Sequence, residues 1–216
     1  AGGRYTCAIR PGGALSCWGH NQVGQTNVPA CTYKAVAVGP VDLGQTETTC
    51  AIDTAGALSC WGGWAGIVNA EPAGTFQAVG VGYFHACAIR TDGTLACWGQ
   101  AGLGRTEPPT GTFTALSVGS QFACAIRTNG GIACWGNGGG APSGTYTAVS
   151  VVESGGCALR SDRTLACWGT APTPPSGTFV NMELGGPSSI FGCGTTTAGG
   201  FSCWGTAAPT PPAGFP

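Results

Sequence analysis

Twelve of the thirteen cysteines stand in six pairs, each ten positions apart: Cys7 and Cys17, Cys50 and Cys60, Cys87 and Cys97, Cys124 and Cys134, Cys157 and Cys167, Cys193 and Cys203. The residues between them explain the interval. In Cys87-Ala-Ile-Arg-Thr-Asp-Gly-Thr-Leu-Ala-Cys97, alternation puts Cys87, Ile89, Leu95 and Cys97 on one face of a β-hairpin and Ala88 and Ala96 on the other. With Cys87 opposite Cys97, Thr91-Asp92-Gly93 becomes a three-residue loop whose last position is left-handed and suits glycine. Gly13, Gly56, Gly93, Gly130 and Gly199 occupy that position; the fifth hairpin has Arg163 there and is expected to be strained. A cross-strand disulfide fits this arrangement, because non-hydrogen-bonded pairs approach to about 4.5 Å at Cα. No Cys-x-x-Cys occurs and there are two histidines, so no zinc or other metal is expected. The pairs read as staples in an oxidised, extracellular chain.

The staples sit inside a repeat. Every hairpin ends Cys-Trp-Gly, and five are preceded by a short apolar strand: residues 33–38, 76–81, 113–118, 146–151 and 179–184. A turn such as Pro109-Thr-Gly-Thr112 introduces most of these strands. Forty glycines and 15 prolines exclude long helices, while 43% apolar residues with seven tryptophans supply a core. The chain therefore reads as all-β, one domain of six units: 1–29, 30–72, 73–109, 110–142, 143–175 and 176–216. A three-stranded unit cannot bury both faces alone, so the units must stack.

Ala115-Leu-Ser-Val-Gly119 together with Cys87-Ala-Ile-Arg-Thr-Asp-Gly-Thr-Leu-Ala-Cys-Trp-Gly99 resembles the regulator-of-chromosome-condensation repeat family. Asn21-Gln-Val-Gly-Gln-Thr-Asn-Val-Pro29 after the first Trp-Gly is similar to its secreted, propeller-type β-lactamase inhibitory branch. The resemblance covers nearly the whole chain and implies a six-bladed β-propeller of three-stranded blades. It implies no particular function, since the family includes exchange factors, inhibitors and extracellular modules. The paired cysteines depart from its intracellular members, and no binding residue is carried over.

The first unit lacks its own first strand: only four residues precede Tyr5. Pro212-Ala-Gly-Phe-Pro216 repeats the turn that precedes a first strand. Three readings are open: a short or irregularly completed blade, a natural chain that continues, or a strand added by another chain. Strand addition head-to-tail would build filaments. Cys31 replaces the turn glycine found at Gly74, Gly111, Gly144 and Gly177; it is either an inert thiol or a link between two molecules.

No catalytic motif emerges. Ser-His-Asp spacing, HExxH, GxSxG and a phosphate-binding loop are all missing, and the Gly138–Gly140 run lacks a lysine or a following helix. No enzymatic activity and no cofactor are expected. His85 is expected to make a structural hydrogen bond, and His20 has no counterpart in other units. The arginines at 10, 90, 127 and 160 recur one position after the apolar hairpin residue, which favours local pairing and solvation over an anion-binding ring. Candidate partner contacts lie on the loops between first and second strands: Tyr83, Phe84 and His85; Gln121 and Phe122; Glu153; Ile190 and Phe191. For Phe84, Phe122 and Phe191 a role as core plugs stands beside that reading. Trp64, in an insertion outside the repeat, is a candidate for stacking on a sugar or partner. Thr173, Ser176, Thr178 and Thr210 lie in Thr/Pro-rich linkers that suit O-glycans.

A net charge of −1 argues against nucleic acid and anionic membrane surfaces. No run of 18 apolar residues exists to insert into a bilayer. The sequence opens at Ala1 with no apolar leader, so any secretion signal is expected to lie outside it. The expected role is a secreted or cell-surface structural or adhesive module with protein partners, copies of itself included, and glycans as further candidates. A secreted enzyme inhibitor using the loop face and a lectin are the alternatives.

Overall fold

A computed structural model describes residues 4–40, 47–138, 140–186, 190–206 and 208–209. The described residues form six antiparallel sheets and no helix. Blade 1 holds β1 (Tyr5–Ile9) and β2 (Leu15–Gly19). Blade 2 holds β3 (Tyr33–Val38), β4 (Thr48–Asp53) and β5 (Leu58–Gly62); blade 3 holds β6 (Phe76–Val81), β7 (His85–Arg90) and β8 (Leu95–Gly99). Blade 4 is β9 (Phe113–Val118), β10 (Phe122–Arg127) and β11 (Ile132–Gly136), and blade 5 is β12 (Tyr146–Val152), β13 (Gly155–Arg160) and β14 (Leu165–Trp168). Blade 6 is β15 (Glu183–Gly185), β16 (Phe191–Thr195) and β17 (Phe201–Trp204). In each three-stranded blade the second strand is central. The first strands neighbour one another from blade to blade, β3 beside β6, then β9, β12 and β15, and so form the inner ring. Among the described residues blade 1 has two strands, as its sequence predicts.

The hairpins have the expected register. Each cysteine faces its partner, with Cα atoms 4.0–4.1 Å apart and all six disulfides formed. The loop closes through Arg90 N–H to Thr94 O (2.8 Å) and Gly93 N–H to Arg90 O (2.9 Å). Gly93 has φ +86°, and Arg163 is forced to +70° at the same place, a conformation that costs a non-glycine residue about 1 kcal/mol.

Alternation gives each blade two different faces, and unlike faces meet. Cys50, Ile52 and Cys60 of blade 2 pack on Ala86, Ala88, Ala96 and Trp98 of blade 3. The opposite face of blade 3, Cys87, Ile89, Leu95 and Cys97, packs on Ala123, Ala125, Ala133 and Trp135 of blade 4. The disulfide of one blade therefore lies against the alanines and tryptophan of the next. The preceding linker completes the contact. Turns in the first three linkers present carbonyls to the indole N–H groups: Trp61 to Gln25 O at 3.0 Å, Trp98 to Ile67 O at 3.1 Å, Trp135 to Arg105 O at 3.1 Å. The linkers after blades 4 and 5 are shorter, and the buried N–H groups of Trp168 and Trp204 have no hydrogen-bond partner among the described residues. Trp98→Phe should therefore destabilise by about 1–2 kcal/mol more than Trp168→Phe, because only the first strands a buried carbonyl. Denaturant midpoints of the two variants check this; equal losses would mean that the indole bond contributes nothing.

The first strands are fixed at their origin by a repeated arginine contact. Arg90, Arg127 and Arg160 lie over the rings of Phe76, Phe113 and Tyr146, at 5.2, 5.0 and 5.3 Å from the centroids. Arg90 and Arg127 also donate to the carbonyls of Ala73 (2.8 Å) and Thr110 (2.9 Å). The expected local pairing is thus with rings and carbonyls, not with carboxylates. Blade 6 departs from the expectation of a continuous strand over 179–184. Its first strand is only β15, preceded by an isolated Phe179–Thr196 bridge, because the Asn181 side chain takes the Thr195 N–H (3.0 Å) that a neighbouring strand would bond.

Candidate functional site

The loops joining first to second strands lie at one end of the blades. In blades 3 and 4 they are tight: Gly82 N–H bonds His85 O and Gly119 N–H bonds Phe122 O, both at 2.8 Å. Such short closures fix the side chains between them. They bring Tyr83, Ser120, Gln121, Asn137, Glu153 and Ser154 around a cavity of about 250 Å³. A second cavity, of about 590 Å³, is lined by Glu153, Thr170, Pro172, Thr173, Ile190, Gly205 and Thr206. Glu153 belongs to both, and its backbone is held at φ +20°. The structure thus gathers four candidate contact residues, Tyr83, Gln121, Glu153 and Ile190, along one face. Among the described residues no lysine or arginine lines either cavity, so neutral or cationic ligands suit the face better than anions.

The aromatic candidates divide. Phe84 is half-buried, packs edge-on to Trp64 (centroids 5.3 Å) and lies 6.2 Å from Tyr83, so the three rings contact one another in series from Tyr83, which lines the first cavity. Trp64 is itself half-buried, with its indole N–H enclosed. Phe122 is fully buried beside Val151 and acts as a core plug, not as a contact residue. It occupies the register place of His85, one position inward of Phe84. Phe191 is half-buried.

His85 does not make the hydrogen bond expected of it. It is completely buried, and neither ring nitrogen has a hydrogen-bond partner among the described residues. Burial, with the nearby Arg105 charge second, pushes its pKa down to about 4, so the ring is neutral. His20 does have a role, which its sequence position conceals. Its Nδ1 meets Glu47 Oε2 at 2.8 Å, and the same oxygen accepts from Gln25 Nε2. Glu47 and Gln25 are buried, and Glu47 Oε1 has no hydrogen-bond partner among the described residues. This polar cluster ties blade 1 and its linker to blade 2. The residues are up to 27 positions apart and share no motif; a histidine after Trp-Gly in one unit alone was the available signal.

Of the modification candidates, Thr173 and Ser176 are exposed, whereas the Thr178 hydroxyl is bonded to Thr197 at 2.6 Å. Thr210, like the turn Pro212–Pro216, lies outside the described residues. Cys31 is exposed and free, its sulfur 4.0 Å from Asp53 Oδ2. Among the described residues no group of three or more His, Cys, Asp or Glu is placed to hold a metal, and no helix is long and apolar enough to cross a membrane.

Blades 3 and 4, over residues 76–105 and 113–139, match the Regulator of chromosome condensation (RCC1) repeat. No curated protein matches the sequence. Among solved structures, the entire ectodomain of the Physcomitrella patens receptor kinase CR4 superposes with a TM-score of 0.77 at 24% identity, covering 99% of this chain. The chain spans 62% of that ectodomain. The ectodomain of the Arabidopsis thaliana receptor kinase ACR4 gives 0.74 at 19% identity, covering 96% of this chain and 82% of its own. Prp20p from Saccharomyces cerevisiae, described with its binding to Gsp1p and histones, gives 0.73 at 12% identity, covering 94% and 70%. The fold is an RCC1-type β-propeller with a disulfide in every blade.

Proposed function

We propose that this propeller of RCC1-type repeats is a non-enzymatic extracellular interaction module, a rigid disc for structural or adhesive contacts. One observation carries the reading: six covalently locked hairpins hold a scaffold on which Tyr83, Gln121, Glu153 and Ile190 converge around two adjoining cavities. A disulfide in every blade supports an oxidising location, and two receptor ectodomains share the fold. The inward edge of β1, which has no paired strand among the described residues, offers a second contact, where strand addition head-to-tail would build a surface assembly or filament. A lectin is the second reading. It is favoured by the first cavity's mix of hydroxyls, carboxamides and one carboxylate beside the Tyr83 ring.

Native mass spectrometry of the protein secreted from a eukaryotic host, with and without reductant, tests the module reading together with its modifications. Oligomers or complexes with host surface proteins are expected, with Thr173 and Ser176 carrying any added hexose mass. A reductant-sensitive dimer would assign Cys31 to a link between molecules. A bare monomer that captures nothing at micromolar concentration would sink the adhesive reading. Retention on neutral-sugar resin, abolished by Tyr83→Ala, would establish the lectin instead, and a one-to-one complex with a hydrolase would establish inhibition.

A further inference from the structure

Most carboxylates among the described residues are engaged within the chain. Glu47 meets His20 and Gln25, Asp53 accepts the Ala57 N–H, Glu71 the Cys60 N–H and Glu183 the Ser150 hydroxyl, while Asp92 and Asp162 accept from Thr94 and Thr164 in their own turns. The carboxylates of Glu107 and Glu153 have no hydrogen bond or ion pair among the described residues. Glu107 lines neither cavity, whereas Glu153 lines both. Glu153 is also exposed, so a ligand reaches its charge without breaking an internal bond. The walls around it come from one repeat position. Tyr83, Ser120 and Glu153 each stand three residues before the residue that faces their blade's tryptophan, namely Ala86, Ala123 and Gly156. Three adjacent blades thus bring an aromatic ring, a hydroxyl and a carboxylate to the first cavity, and Gln121, Asn137 and Ser154 add amide and hydroxyl acceptors. Backbone bonds hold this wall: Asn137 N–H donates to Gln121 O at 3.0 Å, and the Gly82 and Gly119 bonds close the loops that carry Tyr83 and Ser120.

We propose that the first cavity is a receptor for the ammonium group of a lysine side chain presented by a partner protein. The inference rests on the interaction-module reading and names the partner's chemistry. A carboxylate with no cation of its own attracts a positive group, and the Tyr83 ring, two blades away on the same cavity, adds a cation–π attraction. Among the described residues no lysine or arginine lines the cavity, so the positive charge comes from the ligand. A metal ion suits the cavity poorly. Glu153 is the one carboxylate in its lining, and no group of three or more His, Cys, Asp or Glu is placed to hold a metal among the described residues. The volume, about 250 Å³, lies below the roughly 300–1,000 Å³ of small-molecule sites, which favours one side chain over a cofactor-sized ligand. An ammonium carries three diverging donors, which match acceptors spread over blades 4 and 5. A guanidinium instead favours a planar, bidentate partner. The aliphatic stem of the lysine is left to the Tyr83 ring.

The test titrates the intact, isotope-labelled protein with Nα-acetyl-lysine methylamide and follows the backbone amide resonances. Saturable shifts at Gln121, Asn137, Glu153 and Ser154 are expected, with a dissociation constant on the order of 1–10 mM for so few contacting atoms. The same probe acetylated on Nζ carries no charge and should bind at least tenfold more weakly. Glu153→Gln should weaken the lysine probe at least tenfold too; the acetylated probe on the unaltered protein repeats the test without a substitution. Tyr83→Leu should weaken binding by about two- to fivefold, the share of an exposed cation–π contact. Equal shifts from the acetylated probe, or full binding to Glu153→Gln, overturn the receptor. Equal binding by the corresponding arginine probe overturns the choice of lysine. A neutral monosaccharide that produces the same shifts more tightly assigns the cavity to the lectin reading and overturns this one. No response to lysine from a protein that still forms oligomers or host-protein complexes in native mass spectrometry overturns the site alone and leaves the module reading standing. A saturable lysine response from a protein that captures no partner establishes the ammonium site and removes the module reading.

Discussion

Reduction of the six disulfides should unfold this protein at room temperature. Each bond closes a loop of ten residues, for which chain entropy alone gives about 2–3 kcal/mol. A hairpin is local, so the real contribution of each is smaller. Even at about 1 kcal/mol apiece the sum is comparable with the whole stability of a typical domain, roughly 5–15 kcal/mol. The order of loss is also expected. In blades 2 to 5 at least one cysteine of the pair is buried, whereas Cys7, Cys17, Cys193 and Cys203 are all partly exposed. Blades 1 and 6 should therefore open first. Circular dichroism in increasing phosphine reductant, with alkylation and peptide mapping at each step, reads both effects. An unchanged melting temperature after complete reduction would show that packing alone sustains the blades.

Acid should weaken the fold through His85, and His85→Phe should remove most of that dependence. The folded protein holds this imidazole at a pKa of about 4, against 6.5 for the unperturbed side chain. Between those values the unfolded chain binds a proton that the folded chain refuses. Stability is accordingly full above about pH 6.5 and falls with pH by up to 1.4 kcal/mol per unit, roughly 3 kcal/mol in total by pH 4. The phenylalanine variant should lose this slope. It should also gain about 1 kcal/mol at neutral pH, because two buried nitrogens without partners disappear. Phe122, fully buried at the same register place in blade 4, shows that such a ring fits. Denaturant titrations of both proteins at several pH values between 4 and 7 decide it; parallel curves would relieve His85 of the role.

What was legible in the sequence was whatever is local. Hairpin register, disulfide pairing and the left-handed turn position all follow from ten-residue windows, and the strained Arg163 could be named beforehand. Relations across blades were not legible. Phe84 and Phe122 look alike beside their second strands, yet a one-residue offset turns one onto the loop face and the other into the core. His20 and Glu47 meet only because the first linker folds back over blade 2. Cys31 is informative in hindsight. At Gly74 and Gly111 a Cβ would come within 2.7 Å of an arginine Nη1, so the arginine contact requires glycine there. Blade 2 carries Asp53 in place of that arginine, and with it gone a side chain at residue 31 is tolerated. The two departures from the repeat are one exchange, separated by 22 positions.

The unlike faces of each blade have a consequence for how such a chain lengthens. A cassette that presents a sulfur-bearing side to its successor and an indole-bearing side to its predecessor carries both halves of a joint. Tandem duplication of one such cassette creates a junction already compatible with either neighbour, with no compensating substitution. The limit on copy number is then the angle swept around the axis, not the chemistry of any contact.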